Sequence, residues 1–214
     1  MNYPNLARIF MTLAIVFFST YLIKVGAADF LRLEPCDYLD QVHEKNVRPS
    51  PVRLAEAKER LLLAQRFDPK NPVIAEYLAL ATFYRATLSD FDVHLQHEFF
   101  AQAMEEYQAA VNVRPNSGYL WGAIMQTQQA LIETAKKPDL TSGEGVKTTP
   151  EDLKILNTAM THAVQLSPWE SVVIHQVINI GYLHYAEIGD GERKLVDAAI
   201  ERAKMLQLKS GTQR

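Results

Sequence analysis

Cysteine is almost missing from this chain. The single thiol, Cys36, excludes an intramolecular disulfide and leaves the redox compartment open. Leu33-Glu34-Pro35 before it are not the small residues that precede a lipid-modified cysteine, so Cys36 reads as a structural or incidental thiol. An excess of basic charge is also lacking. The net charge is −3, and residues 29–214 hold 20 basic against 25 acidic side chains. Such a body has no bulk attraction for phosphate backbones, which disfavours DNA or RNA as a partner. None of the stretches 72–86, 118–135 and 171–187 looks like an alternating strand.

Catalytic signatures are equally scarce. There is no Gly-x-Ser-x-Gly elbow and no cysteine–histidine arrangement that stands out. Gly143-Glu144-Gly145-Val146-Lys147-Thr148 has the wrong spacing for a phosphate loop, because Val146 separates glycine from lysine and no buried strand precedes it; it reads as a flexible loop. His94 and His97 lie three apart at a helix start, but His94-Leu95-Gln96-His97-Glu98 matches neither zinc-helix motif. His175 and His184, nine apart, are too distant to share a ligand directly and read as surface or groove residues. The expectation is a chain with no enzymatic activity, no metal and no cofactor.

What the chain does have is an apolar start. Residues 9–23, IFMTLAIVFFSTYLI, carry no charge, with Arg8 before them and Lys24 after. A span needs about 20 predominantly apolar residues, with a lower limit near 17. Leu6 to Ala28 supplies 23 if Arg8 and Lys24 extend their charges to the interfaces. A cleaved signal peptide competes with this reading, since Val25-Gly26-Ala27-Ala28 offers small residues to a peptidase. A buried core helix is a third reading. The bulky Ile, Phe and Tyr side chains and the weakly basic start favour an uncleaved anchor over residues 1–28. The positive-inside count does not fix the orientation, and a short cytoplasmic tail with the bulk outside is the adopted expectation.

A pattern recurs behind the anchor. AEAKERLLLAQRFDP (55–69) and AQAMEEYQAAVNVRP (101–115) share alanine at the first, third and tenth places, glutamate at the fifth and a final proline. Ala57, Leu61, Ala64 and Pro69 are matched in spacing by Ala103, Tyr107, Ala110 and Pro115, and by Leu156, Met160, Ala163 and Pro168. A fourth copy, Val196, Ile200, Ala203 and Leu208, has leucine in place of the proline. Steps of four and three put these side chains on one helical face. The alanine lets a neighbouring helix approach, and the proline ends the helix. After each proline comes another helical stretch: 72–86, 118–135 and 171–187. Asn71, Asn116 and Thr149 are expected as caps, with Pro72 and Pro150 in first turns. The polar stretches 88–96, 136–150 and 187–193 are expected as insertions between paired helices.

A helix pair ending in Ala-x-x-x-Φ-x-x-Ala-x-x-x-x-Pro resembles the tetratricopeptide repeat, over roughly residues 51–208. Trp121 falls on that family's tryptophan position and Ile124 on its leucine position. The chain departs from the family in several ways. The terminators are 46, 53 and 40 residues apart where the standard unit has 34, Gly181 replaces the usual tyrosine, and the first helix of the first unit is missing or degenerate. The resemblance implies an all-α chain: a transmembrane helix (1–28), a juxtamembrane linker (29–50), an α-solenoid of about seven helices (51–208) and a disordered tail (209–214).

The same resemblance implies a concave groove that binds an extended peptide. Carrying over the family's inward-facing positions gives Glu76, Leu80 and Phe83, then Tyr119, Gln126 and Gln129, then His175, Asn179 and Tyr182. Leu80 and Phe83 are read as packing residues and the others as the partner site. The absence of a lysine and arginine cluster disfavours capture of chaperone tails. In size, anchor and repeat layout the chain also resembles the VpsP-type accessory proteins of exopolysaccharide biosynthesis. This implies a protein partner in a bacterial envelope machine, with an anchored holdase as the alternative.

Overall fold

A computed structural model describes residues 3–45, 47–88, 92–137 and 148–211, with side-chain surroundings from residue 8 to 207. Among the described residues there are eight α-helices and no strand: α1 (Tyr3–Glu44), α2 (Pro51–Phe67), α3 (Pro72–Ala86), α4 (Val93–Val113), α5 (Gly118–Lys136), α6 (Pro150–Leu166), α7 (Ser171–Leu183) and α8 (Asp190–Gly211). They form two compact units, Met1–Ala81 and Thr82–Arg214, with the boundary inside α3.

In the first unit the apolar start is one end of a 42-residue helix. Residues 8–24 are exposed throughout, and the helix fits a single membrane span. Its two threonines there return their hydroxyls to their own backbone, Thr12 to the Arg8 carbonyl (2.9 Å) and Thr20 to the Val16 carbonyl (2.8 Å). Polar groups satisfied within the segment are what a hydrocarbon environment demands.

The same helix continues through 29–44, where a linker was expected. The correction has a physical reason. Ala28, Pro35, Leu39 and Val42 recur every three, four or seven residues on one face, and that face is buried with Tyr38 against α2. Pro35 costs the helix one rung of its ladder without ending it. Leu54, Ala57, Leu61 and Ala64 are the buried stripe of α2. Glu34 pairs with Arg60, the Arg53 guanidinium lies 4.0 Å from the Tyr38 ring centre, and the Tyr38 hydroxyl accepts the Ser50 N–H at 2.9 Å. α2 therefore has a preceding partner helix, where the sequence reading took it to be missing or degenerate.

The second unit is built by stacking. α4 packs on α5, α5 on α6 and α7 on α8, while α5 also meets α7 and α6 meets α8. The recurring register accounts for the cores. Ala103, Tyr107 and Ala110 are buried on α4, and Leu156, Met160 and Ala163 are fully buried on α6. On α8 Val196 is buried, but Ile200 and Ala203 are half-buried.

The proline turns repeat as closely as the helices. α2, α4 and α6 end at Asp68, Arg114 and Ser167, whose φ angles are −134°, −128° and −135°. Each of these residues donates its N–H at 3.0 Å to the carbonyl of the signature alanine, Ala64, Ala110 or Ala163. Three residues on, Asn71, Ser117 and Glu170 donate back to the same three residues at 3.2, 3.2 and 3.3 Å, closing a turn with proline at its second position. α8 has leucine there instead and runs through Gly211, so half of the expected tail is helical; residues 212–214 lie outside the described residues. The Gly143–Lys147 loop also lies outside them.

Caps follow local chemistry. Asn71 accepts the Val73 N–H at 3.1 Å, and Thr149 forms a reciprocal capping box with Asp152. Asn116 is not a cap. The turn occupies it, and Ser117, one residue later, accepts the Leu120 N–H at 3.3 Å.

Gly181, which departs from the tyrosine of the family pattern, lies close against Val196 of α8. A Cβ there would overlap the Val196 side chain. Gly181→Ala is therefore expected to destabilise the protein by about 1–3 kcal/mol, as overpacking does. Urea unfolding of the full chain in detergent checks this, and an unchanged midpoint would remove the close contact.

Candidate functional site

The expected partner residues lie on three helices. Glu76 is half-buried on α3, in the first unit. On α5, Tyr119 and Gln126 are half-buried and Gln129 is buried, 9% exposed. On α7, His175 and Asn179 are exposed, and Tyr182 is 67% exposed.

The structure does not gather the α5 and α7 residues onto one surface. Val173 and Gln176 of α7 lie closest to Gly122 of α5, and His184 reaches Gln129. Residues 173, 176 and 184 thus define the side of α7 turned towards α5. His175, Asn179 and Tyr182 follow at steps of four and three on a stripe turned away from it.

Gln129 is not free to bind a partner. Its amide nitrogen donates to Glu133 at 3.1 Å, and its carbonyl oxygen accepts from Nε2 of His184. The other ring nitrogen of His184 lies 2.8 Å from the Glu187 carboxylate. His184 is 2% exposed, so the expectation of a surface or groove residue is corrected. It closes α7 as its C-cap and fastens that end to α5. The signal was in the spacing: residue 184 continues the buried stripe 173, 176, 180.

Two openings lie beside α6, apart from the expected partner residues. One cleft of about 540 Å³ is lined by Leu153, Asn157, Thr161 and His162 of α6 and Glu192 of α8. Another of about 340 Å³ lies between Val111 of α4, Trp121 and Ile124 of α5, and Ile155 of α6, with Lys154 and Thr158 shared by both. Trp121 lines the second of these and touches the wall of the first through His162. Its indole N–H donates to the Pro115 carbonyl at 2.9 Å, and its ring stacks on His162 with centroids 4.3 Å apart. Of the residues read as packing, Leu80 is buried and the Phe83 ring meets Phe100 edge-on at 5.4 Å.

Burial and hydrogen bonding shift several titratable groups. Burial pushes the Cys36 thiol up to about 11, against the opposing pull of Arg32. Burial, together with a 2.6 Å hydrogen bond to Asp40, raises the Tyr77 hydroxyl far above its ordinary value. Burial tends to raise the Asp152 carboxyl, yet it sits below the usual range because the Thr149 hydroxyl and N–H and the Gln128 amide all donate to it. His94 pairs with Glu98 at 3.3 Å, whereas His97 turns to the Thr134 hydroxyl at 2.9 Å. Among the described residues no group of three or more His, Cys, Asp or Glu side chains is placed to hold a metal ion. The chain matches no protein-family model, and no curated protein is detectably similar to it.

Two outcomes are expected. His184→Ala leaves the buried Gln129 carbonyl oxygen without its donor and costs about 1–3 kcal/mol, read as a lower melting temperature; an unchanged value would dissolve the network. The alkylation rate of Cys36 should still climb with pH beyond about 9, because its thiol stays protonated where a free cysteine of pKa about 8.5 is already thiolate. A profile that levels off near that ordinary value would contradict the burial.

Proposed function

We propose that the chain is a membrane-anchored helical-repeat scaffold whose paired helices are of the tetratricopeptide type and whose work is protein–protein interaction. The observation that carries this reading is the threefold recurrence of one helix end: a buried alanine, a carbonyl closed by the C-cap N–H, and a proline turn leading to the next helix. A chain that spends its register on stacking one unit against the next builds extended surface, and such surfaces serve recognition. The reading includes insertion in a bacterial inner membrane with the bulk periplasmic, no catalytic activity, and service to exopolysaccharide assembly or export.

Partner contact is assigned first to the exposed α7 stripe, His175, Asn179 and Tyr182. Its amide and aromatic groups suit hydrogen bonding and packing against another chain. A second reading, an envelope holdase, draws on the apolar side chains exposed nearby, Val172, Leu183 and Tyr185 among them.

Cross-linked capture of the full-length chain from its native membrane separates the two. A scaffold yields one dominant envelope partner, and Tyr182→Ala lowers its recovery without changing the helical signal. A broad set of secreted clients would favour the holdase, and equal recovery with Tyr182→Ala would remove that residue from the site.

A further inference from the structure

The first unit brings the end of α2 back towards the start of the chain. Glu34 pairs with Arg60, and four residues further along α1 Tyr38 lies against Arg53, seven residues earlier in α2. The two helices are therefore antiparallel. At 1.5 Å per residue, stepping from Glu34 towards the span matches stepping from Arg60 towards the end of α2, which puts Phe67 level with about residue 27. Ala28 is already fully buried at this height. The body of the protein thus begins within five residues of Ile23, the last residue of the uncharged run.

That run is short. Fifteen residues rise about 22 Å, against a hydrocarbon core of about 30 Å and headgroup layers of several ångströms on either side. Residues following Ile23 must then lie at membrane depth or in the interfacial layer, and whatever is packed level with them lies there too. The end of α2 is suited to this place. Phe67 is 39% and Leu63 41% exposed, one turn apart on the same face. Lys70, in the turn beyond, is exposed, as is Lys24 on α1. Asp68 adds an opposing charge, and its carboxylate accepts from the Asn71 amide at 3.0 Å.

We infer that the α2–α3 turn is a lipid-docking element, with Phe67 seated at the boundary of headgroups and acyl chains and Lys70 among the phosphates. This rests on the reading of α1 as an uncleaved span. The partner is the bilayer beside the span itself. The apolar contact is joined by basic charge, since exposed Arg66 and Lys70 outnumber Asp68 at the turn and Asp29 is already paired with Arg32. A helix that runs unbroken from the span to Glu44, held at its side by a docked turn, has a fixed rather than a swivelling exit from the membrane.

The test uses the full chain with Cys36→Ala, labelled at single cysteines with an environment-sensitive fluorophore and reconstituted in phosphatidylcholine vesicles that carry quenchers at graded depths. Phe17→Cys probes the span, Phe67→Cys and Lys70→Cys probe the turn, and Val52→Cys probes the far end of α2, about 22 Å away along the helix. Lys70 lies outside the helix, so its label reads the same depth without disturbing packing. Labels at 67 and 70 are expected to be quenched several-fold more by shallow lipid quenchers than the label at 52. If both match 52 while 17 is quenched by deep lipids, the docking is wrong and the span stands. If 17 is also unquenched, the span reading itself has failed. If 67 and 70 are shielded from aqueous iodide yet untouched by lipid quenchers, protein covers the turn and the lipid assignment is overturned.

Discussion

Proline at positions 69, 115 and 168 is the constraint on which the rest depends. A proline inside an α-helix lacks the N–H for its rung and clashes with the turn before it; α1 tolerates this at Pro35, whereas α2, α4 and α6 stop before their prolines. The way they end is set as firmly. The last N–H closes on the alanine carbonyl, the backbone leaves the helical region at the same φ, and three residues later the chain is aimed into another helix. Because the alanine sits on the buried face, the turn and the packing register are locked to each other. Where the proline is missing, in α8, the helix runs on and its last repeat positions are only half-buried.

The second constraint comes from α1. A helix that is exposed and apolar at one end and packed against α2 at the other joins two environments with no flexible break. The stripe through Ala28, Leu39 and Val42 makes the join, and it begins immediately after the uncharged run.

Much of this was legible in the residues. The apolar start, the all-helical character, the places where helices end and the buried faces of α2, α4 and α6 follow from spacing and proline chemistry alone. The second half of α1 was hidden because Pro35 and the charges around it mask a stripe that is sound at three- and four-residue steps. Asn116 looked like a cap until the turn geometry took it, leaving Ser117 in position. The site was less legible. Facing directions carried over from a regular repeat do not hold when units of 46 and 53 residues replace 34, so Gln129 turned inward to His184 while Tyr182 turned outward. His184 shows that a histidine on an apolar stripe belongs to the stripe, and that its partners decide its role.

The account stands or falls on the repeated helix end. Residue-resolved amide hydrogen exchange on the full chain in detergent measures it directly, because the N–H groups of Asp68, Arg114 and Ser167 are each bonded to a buried alanine's carbonyl. The account predicts that all three are protected well above the rates of an unstructured chain, as one recurring feature. If any of the three exchanged freely while its own helix stayed protected, the shared turn would be absent there, and the repeat would be a resemblance of sequence rather than a principle of construction.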